Sequence, residues 1–173
     1  MRRLILGLII IVHLLIMLVF IQPLFASEIP SQDKTEIANI LFAESANDAQ
    51  GWTPKLNTYN KGRRQHESLL SAMQRVCSAH RANAPQYRKA KAHDFNAYEH
   101  KIYNRILIII NNFTPDKSWR YIHHENIDAF YNTEQQAITH LKKAWGVGID
   151  YQNYKKIGKE TYFAKVRKVV KSR

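Results

Sequence analysis

With 173 residues and an apolar leader set aside, the chain has room for one domain around one core and too little for two. Its formal charge is +12, and because Arg2 and Arg3 are the only charged residues before Glu28, the remainder carries 24 basic against 14 acidic side chains. The expected partner is therefore a polyanion, whether nucleic acid, anionic lipid headgroups or acidic polymers outside the cell. The lone cysteine, Cys77, excludes an internal disulfide; it falls on the apolar side of an expected helix and reads as a buried, inert thiol in no zinc pattern.

Residues 1–27 have the grammar of an export signal: Arg2 and Arg3, an apolar run from Leu4 to Ile21 broken only by Gly7 and His13, then Pro23 and a Leu24, Phe25, Ala26 ending. The run approaches the length of about 20 residues that spans a bilayer, so two readings stand: cleavage after Ala26, or an uncleaved inner-membrane anchor through 4–21. Either one carries the domain, 33–173, out of the cytoplasm into the periplasm or envelope, which argues against nucleic acid. A polar linker, 28–32, precedes it.

The first helix is expected over 33–47, with Asp33 and Glu36 as a capping box and Ile37, Ile40 and Leu41 on one face. Glu44 is the next residue on that face. Half under the core, it should lose water, and its pKa should rise toward the range of a general acid; the competing reading turns it outward or pairs it with a Lys or Arg. Gly51, Pro54, Asn57, Asn60 and Gly62 make 48–64 read as a loop, whose Trp52 and Tyr59 either stack on sugar rings or tuck under as a small core. A helix over 65–80 follows, with Leu69, Leu70, Met73, Val76 and Cys77 buried, then a break at 81–85 and a short basic stretch from Gln86 and Tyr87. Asp94 is the expected cap of the longest helix, whose Phe95, Tyr98, Ile102, Ile106, Ile109 and Phe113, widened by Leu107, Ile108 and Ile110, make it the expected centre of the bundle up to Thr114 and Pro115.

Residues 116–132 form a polar, aromatic stretch. Adjacent His123 and His124 with Glu125 do not have the spacing of a metal site, so no metal or other cofactor is expected. Thr133 with Gln136 opens another amphipathic helix through Ala137, Ile138, Leu141 and Trp145, stopped by Gly146 and Gly148. KIGKETYF, 156–163, alternates around Gly158 as a hairpin, and 165–173 is a basic, solvated tail. The fold class expected is mainly α (α+β), with a small C-terminal β-hairpin.

Three stretches resemble the bacterial cell wall hydrolase family that includes the spore-cortex-lytic enzymes. ILFAESA, 40–46, is similar to that family's early helix ending in Tyr/Phe-x-Glu-Ala; NIDAFYN, 126–132, to its Gly-Ala-x-x-Phe/Tyr-x-Asn cleft stretch; and IGKETYF, 157–163, to its closing Ile-Gly-x-His-x-Phe-Tyr. The Gln86, Tyr87 pair resembles a Gln-Phe pair between these landmarks. Departures are plain: Ser45 to Asp48 replace the family's Ala-Arg-Gly-Glu, the Asn-Arg pair of the next helix is absent, and Ile127 and Asp128 stand in place of the glycines.

The resemblance implies a divergent, monomeric, lysozyme-like domain with Glu44 at the floor of a peptidoglycan groove. Cleaving a β-1,4 glycan bond needs a proton on the leaving oxygen and stabilisation of an oxocarbenium-like centre. Glu44 is the expected acid, and Asp48, Glu67 and Glu125 are the nearest candidates for a second carboxylate. If none serves, the substrate's own N-acetyl or 6-hydroxyl group attacks, as in a lytic transglycosylase or substrate-assisted muramidase. Gln86, Tyr87, Tyr131 and Asn132 are the expected groove contacts. Two alternatives are a catalytically inactive wall-binding or scaffold protein, and a basic protein bound to anionic lipid.

Overall fold

The computed structural model describes residues 29–127, 131–145 and 149–165. The leader expected over 1–27, residues 128–130 of the cleft stretch, the helix stop at Gly146 and Gly148, and the tail from 166 lie outside the described residues.

Among the described residues the order is α1 (Ser31–Ser45), α2 (Trp52–Lys61), α3 (Leu69–Val76), α4 (Ser78–Arg81), α5 (Pro85–Ala92), α6 (Ala97–Asn111), β1 (Tyr121–Asn126), α7 (Glu134–Trp145), β2 (Ile149–Ile157) and β3 (Glu160–Lys165). The fold is mixed, mainly helical with a three-stranded antiparallel sheet. β3 lies in the middle, in the order β1-β3-β2. The hairpin expected around Gly158 is β2–β3; the sheet is larger than a hairpin because YIHHEN, from the stretch left without regular structure, adds β1 to the other edge of β3.

The helical core is built on α1, whose Ile37, Ala38, Ile40 and Leu41 are fully buried. It packs against α3, α4, α5 and α6, so α1 and not α6 is central. α6 covers it with Ile102, Tyr103, Ile106 and Ile110, while Ile108 and Tyr98 face solvent. An apolar run wider than one stripe therefore does not make this helix central.

Helix ends also differ from expectation. The capping box over Asp33 and Glu36 does not form, because the helix begins at Ser31 after Pro30. Glu36 instead accepts hydrogen bonds from Asn39 Nδ2 and the Tyr87 hydroxyl. α6 is capped by Asn96 with Glu99 in a reciprocal box, not by Asp94. The helix expected over 65–80 is broken by the extended backbone of Cys77 into α3 and α4, which leaves Val76 exposed.

The largest correction is α2, in place of the expected loop. Pro54 falls in its first turn, where a missing N–H costs nothing, and Gly51 and Gly62 flank its ends. Trp52, Leu56 and Tyr59 at helical spacing supply the buried stripe. α2 then anchors the sheet to the helices. Its Asn57 side chain accepts from the Asp116 N–H at 2.8 Å, and its Thr58 hydroxyl accepts from Trp119 Nε1 at 3.1 Å. The Tyr162 hydroxyl donates to the Gly51 carbonyl at 3.4 Å.

The two faces of the sheet have different neighbours. Tyr162 packs with Trp119 and Tyr121 on the face toward α2, and Phe163 packs with Ile138 and Leu141 of α7 on the other. Asp48, in the turn between α1 and α2, accepts from the Lys159 N–H at 3.2 Å and so pins the β2–β3 turn. Gly158 in that turn has φ of +59°, and a Cβ there would lie 2.9 Å from Asp48 Oδ2. Gly158→Ala is expected to cost about 1–3 kcal/mol, from left-handed strain plus displacement of Asp48. A urea denaturation midpoint unchanged from wild type would contradict this.

Candidate active site

α1 ends where Ser45 turns its hydroxyl back to the Leu41 carbonyl, and the Trp52 indole N–H donates to the Ser45 carbonyl at 2.8 Å. That contact folds α2 back across the end of α1. Lys55 and Tyr59, one turn apart on α2, then share a face and point at Glu44. The Tyr59 hydroxyl donates to Glu44 Oε2. Lys55 Nζ lies 3.9 Å from the same oxygen and 2.8 Å from Glu160 Oε1 on β3. His124 Nδ1 on β1 lies 3.2 Å from Glu160 Oε2, and because an ionised carboxylate only accepts, Nδ1 carries the proton. The His124 ring stands edge-on to Tyr59 at 5.3 Å.

The site is therefore two carboxylates bridged by one ammonium, with a phenol and an imidazole beside them. Its depth is graded: the Glu160 side chain is 0 % exposed, Lys55 2 % and Glu44 11 %. Glu44 alone of the three keeps an opening to solvent. Its position half under the core matches the expectation, but its acidity does not. Burial pushes the carboxyl up, as expected; Lys55 and His124, with hydrogen bonds from Cys77 and Tyr59, outweigh it and hold the carboxyl below its ordinary value. Glu160 is likewise pushed up by burial and pulled down further, to about 2, by His124 and Lys55. Tyr59 is raised well above the phenol range, first by its own burial and then by the Glu44 charge. Cys77 is buried and its thiol is raised far above the ordinary thiol range, mainly by burial, in keeping with an inert group.

None of the expected second acids stands beside Glu44. Asp48, between α1 and α2, is buried with its carboxylate turned to the Lys159 N–H of the β2–β3 turn. Glu67 is gripped by Arg75 at 2.7 and 2.8 Å, which brings its carboxyl to about 2. Glu125 pairs with Thr161 in the register and so points to the α7 face of the sheet, away from His124 and Glu160; burial raises its carboxyl.

The expected groove contacts divide. Tyr87 is buried on α5 with its hydroxyl on Glu36, and Gln86 beside it is exposed. Glu36 precedes Glu44 by eight residues, about 12 Å of helix rise, so this pair is not brought to the acid. The Tyr131 ring lies 5.4 Å from His140, and its hydroxyl is raised by burial and then by Glu125, which places it on the Glu125 side. Asn132 is exposed and its N–H donates to Gln136 Oε1 at 2.8 Å, at the start of α7. Trp52 and Tyr59 belong to the core, so neither is a platform for sugar. Two cavities of about 340 Å³ each lie on α7 around His140 and near the start of α1; neither is lined by Glu44. No group of His, Cys, Asp and Glu fit to hold a metal occurs among the described residues.

Lys55, His124 and Glu160 are not foreseen as site residues, and Tyr59, weighed as a sugar platform, instead donates to Glu44. The spacing of Trp52, Leu56 and Tyr59 carried the signal for α2 and hence for Lys55. Glu160 lies in the hairpin segment with no spacing that ties it to Glu44, so only the fold reveals it. No protein-family model, curated protein or solved structure matches the chain.

Proposed function

We propose that this is an exported, lysozyme-like domain that cleaves peptidoglycan glycan strands in the periplasm or envelope, with Glu44 as its one acid/base, acting as a lytic transglycosylase or substrate-assisted muramidase. The observation that carries the reading is the Glu44 carboxylate at the end of α1, covered on its inner side by Lys55, Tyr59 and His124 and open to solvent only on its outer edge. A single-acid route is favoured because the one neighbouring carboxylate, Glu160, is fully buried and cannot reach a sugar. A glycan lying over the outer edge removes the remaining water from Glu44 and raises its pKa. Glu44 then takes a proton, delivers it to the leaving oxygen, and receives one back from the 6-hydroxyl or from water.

The test is mass spectrometry of the products released from wall sacculi. Soluble muropeptides with 1,6-anhydro ends mark transglycosylation and reducing ends mark hydrolysis; sacculi left intact refute both.

One observation favours a second reading. An acid held ionised by an ammonium 3.9 Å away is poorly prepared to give a proton, which fits a catalytically inactive wall-binding protein. Co-sedimentation with sacculi without release of fragments would establish it.

A further inference from the structure

We propose that Lys55 is the positioning residue that sets whether Glu44 carries a proton, by dividing one ammonium between the fully buried Glu160 and the partly buried Glu44. This rests on the glycan-cleaving reading for its purpose and on the geometry of the site for its substance.

The groups facing Glu44 come from four parts of the fold: Lys55 and Tyr59 on α2, Cys77 between α3 and α4, His124 on β1, and Glu160 behind Lys55 on β3. Tyr59 and Cys77 are neutral donors whose own protons are held firmly. Lys55 is the cation in contact with Glu44. Its Nζ sits 2.8 Å from Glu160 but 3.9 Å from Glu44, and it is also 3.5 Å from the Glu44 main-chain carbonyl. The ammonium is thus committed to Glu160 and only leans on Glu44. At 3.9 Å in a nearly dry setting it still strongly favours the ionised form. His124, on the far side of Glu160, fixes that carboxylate and so fixes where Lys55 rests. In this arrangement the strength of the acid depends on how the ammonium is divided. Lys55 need not touch substrate, and at 2 % exposure it cannot.

Lys55→Met keeps the length of the stem and removes the charge. With Glu residues labelled at Cδ, carbon NMR follows each carboxyl through a pH titration, and Glu44→Gln assigns the Glu44 signal without any substrate. The Glu44 midpoint in Lys55→Met is expected to be higher than wild type by about 1–3 on the pH scale. Lys55→Arg should restore a low midpoint. Should Lys55→Met not fold, Lys55→Met with Glu160→Gln replaces the ion pair by neutral groups of similar volume, and the Glu44 midpoint is expected to rise there as well. A Glu44 midpoint that stays at the wild-type value in either folded variant overturns the assignment. A raised midpoint in a protein that leaves sacculi intact keeps the role of Lys55 and removes the glycosidase reading, so the two failures are distinct.

Discussion

Glu44→Gln is expected to lower muropeptide release from sacculi by a factor of about 10²–10⁴, the usual worth of a positioned acid/base, while the protein stays folded. Glutamine matches the carboxylate in shape, and its Oε1 still accepts from Tyr59, which keeps its partner. Lys55 retains Glu160 at 2.8 Å, so no buried charge is stranded. Thermal melts of variant and wild type should therefore lie within a few degrees, and activity and stability separate cleanly. The pH dependence has a definite sign. A general acid works when protonated, and in the free protein Glu44 lies below the ordinary 4.5. kcat/KM should therefore keep rising as pH falls past 4.5, and decline tenfold per pH unit above the Glu44 value. Equal release by Glu44→Gln and wild type would show that another group carries the chemistry.

Glu160→Ala is expected to destabilise the fold by about 3–5 kcal/mol, the cost of removing one partner from a buried ion pair. For a chain of this length that lowers Tm by roughly 10 °C. Lys55 would remain 2 % exposed with only the more distant Glu44 as counter-charge, and His124 would lose its acceptor. Glu160→Gln should cost less, since an amide oxygen in a side chain of the same shape still faces the ammonium. The acid limb of stability follows from the same pair. The Glu160 carboxyl is near 2 in the folded chain against an ordinary 4.5, so its contribution is fully present above 4.5 and is lost as pH falls through about 2. Urea denaturation of the three proteins at neutral pH checks the ranking; a Glu160→Ala midpoint equal to wild type would mean that water already reaches Lys55.

Periodicity made parts of this fold readable and hid others. The stripe of Ile37, Ile40 and Leu41 placed α1 and left Glu44 at the border of core and solvent, where it is found. Gly158 placed the β2–β3 turn. α2 was hidden because Gly, Pro and Asn lie where they punctuate loops, although the first turn of a helix tolerates Pro and its flanks tolerate Gly. β1 was hidden because His123, His124 and Glu125 do not alternate in hydrophobicity; what alternates is their use, with His124 toward the carboxylates and Glu125 toward α7. The acidity of Glu44 could not be read locally at all. Burial is written in its own helix, but the charges that outweigh burial come from residues 55, 124 and 160, and only the fold brings them together.

The Asp48–Lys159 hydrogen bond joins residues 111 positions apart. Closing a loop of that span is slow compared with forming α1 and α2, which meet through near neighbours. As the chain collapses, α1 and α2 can dock early and bring Lys55 to Glu44 before Glu160 has arrived. In that interval the ammonium has a single carboxylate to answer to, and Glu44 holds it alone. Glu160 comes with β3 and offers the ammonium the nearer partner, at 2.8 Å against 3.9 Å for Glu44, so the acid's mature setting depends on the last strand being in place.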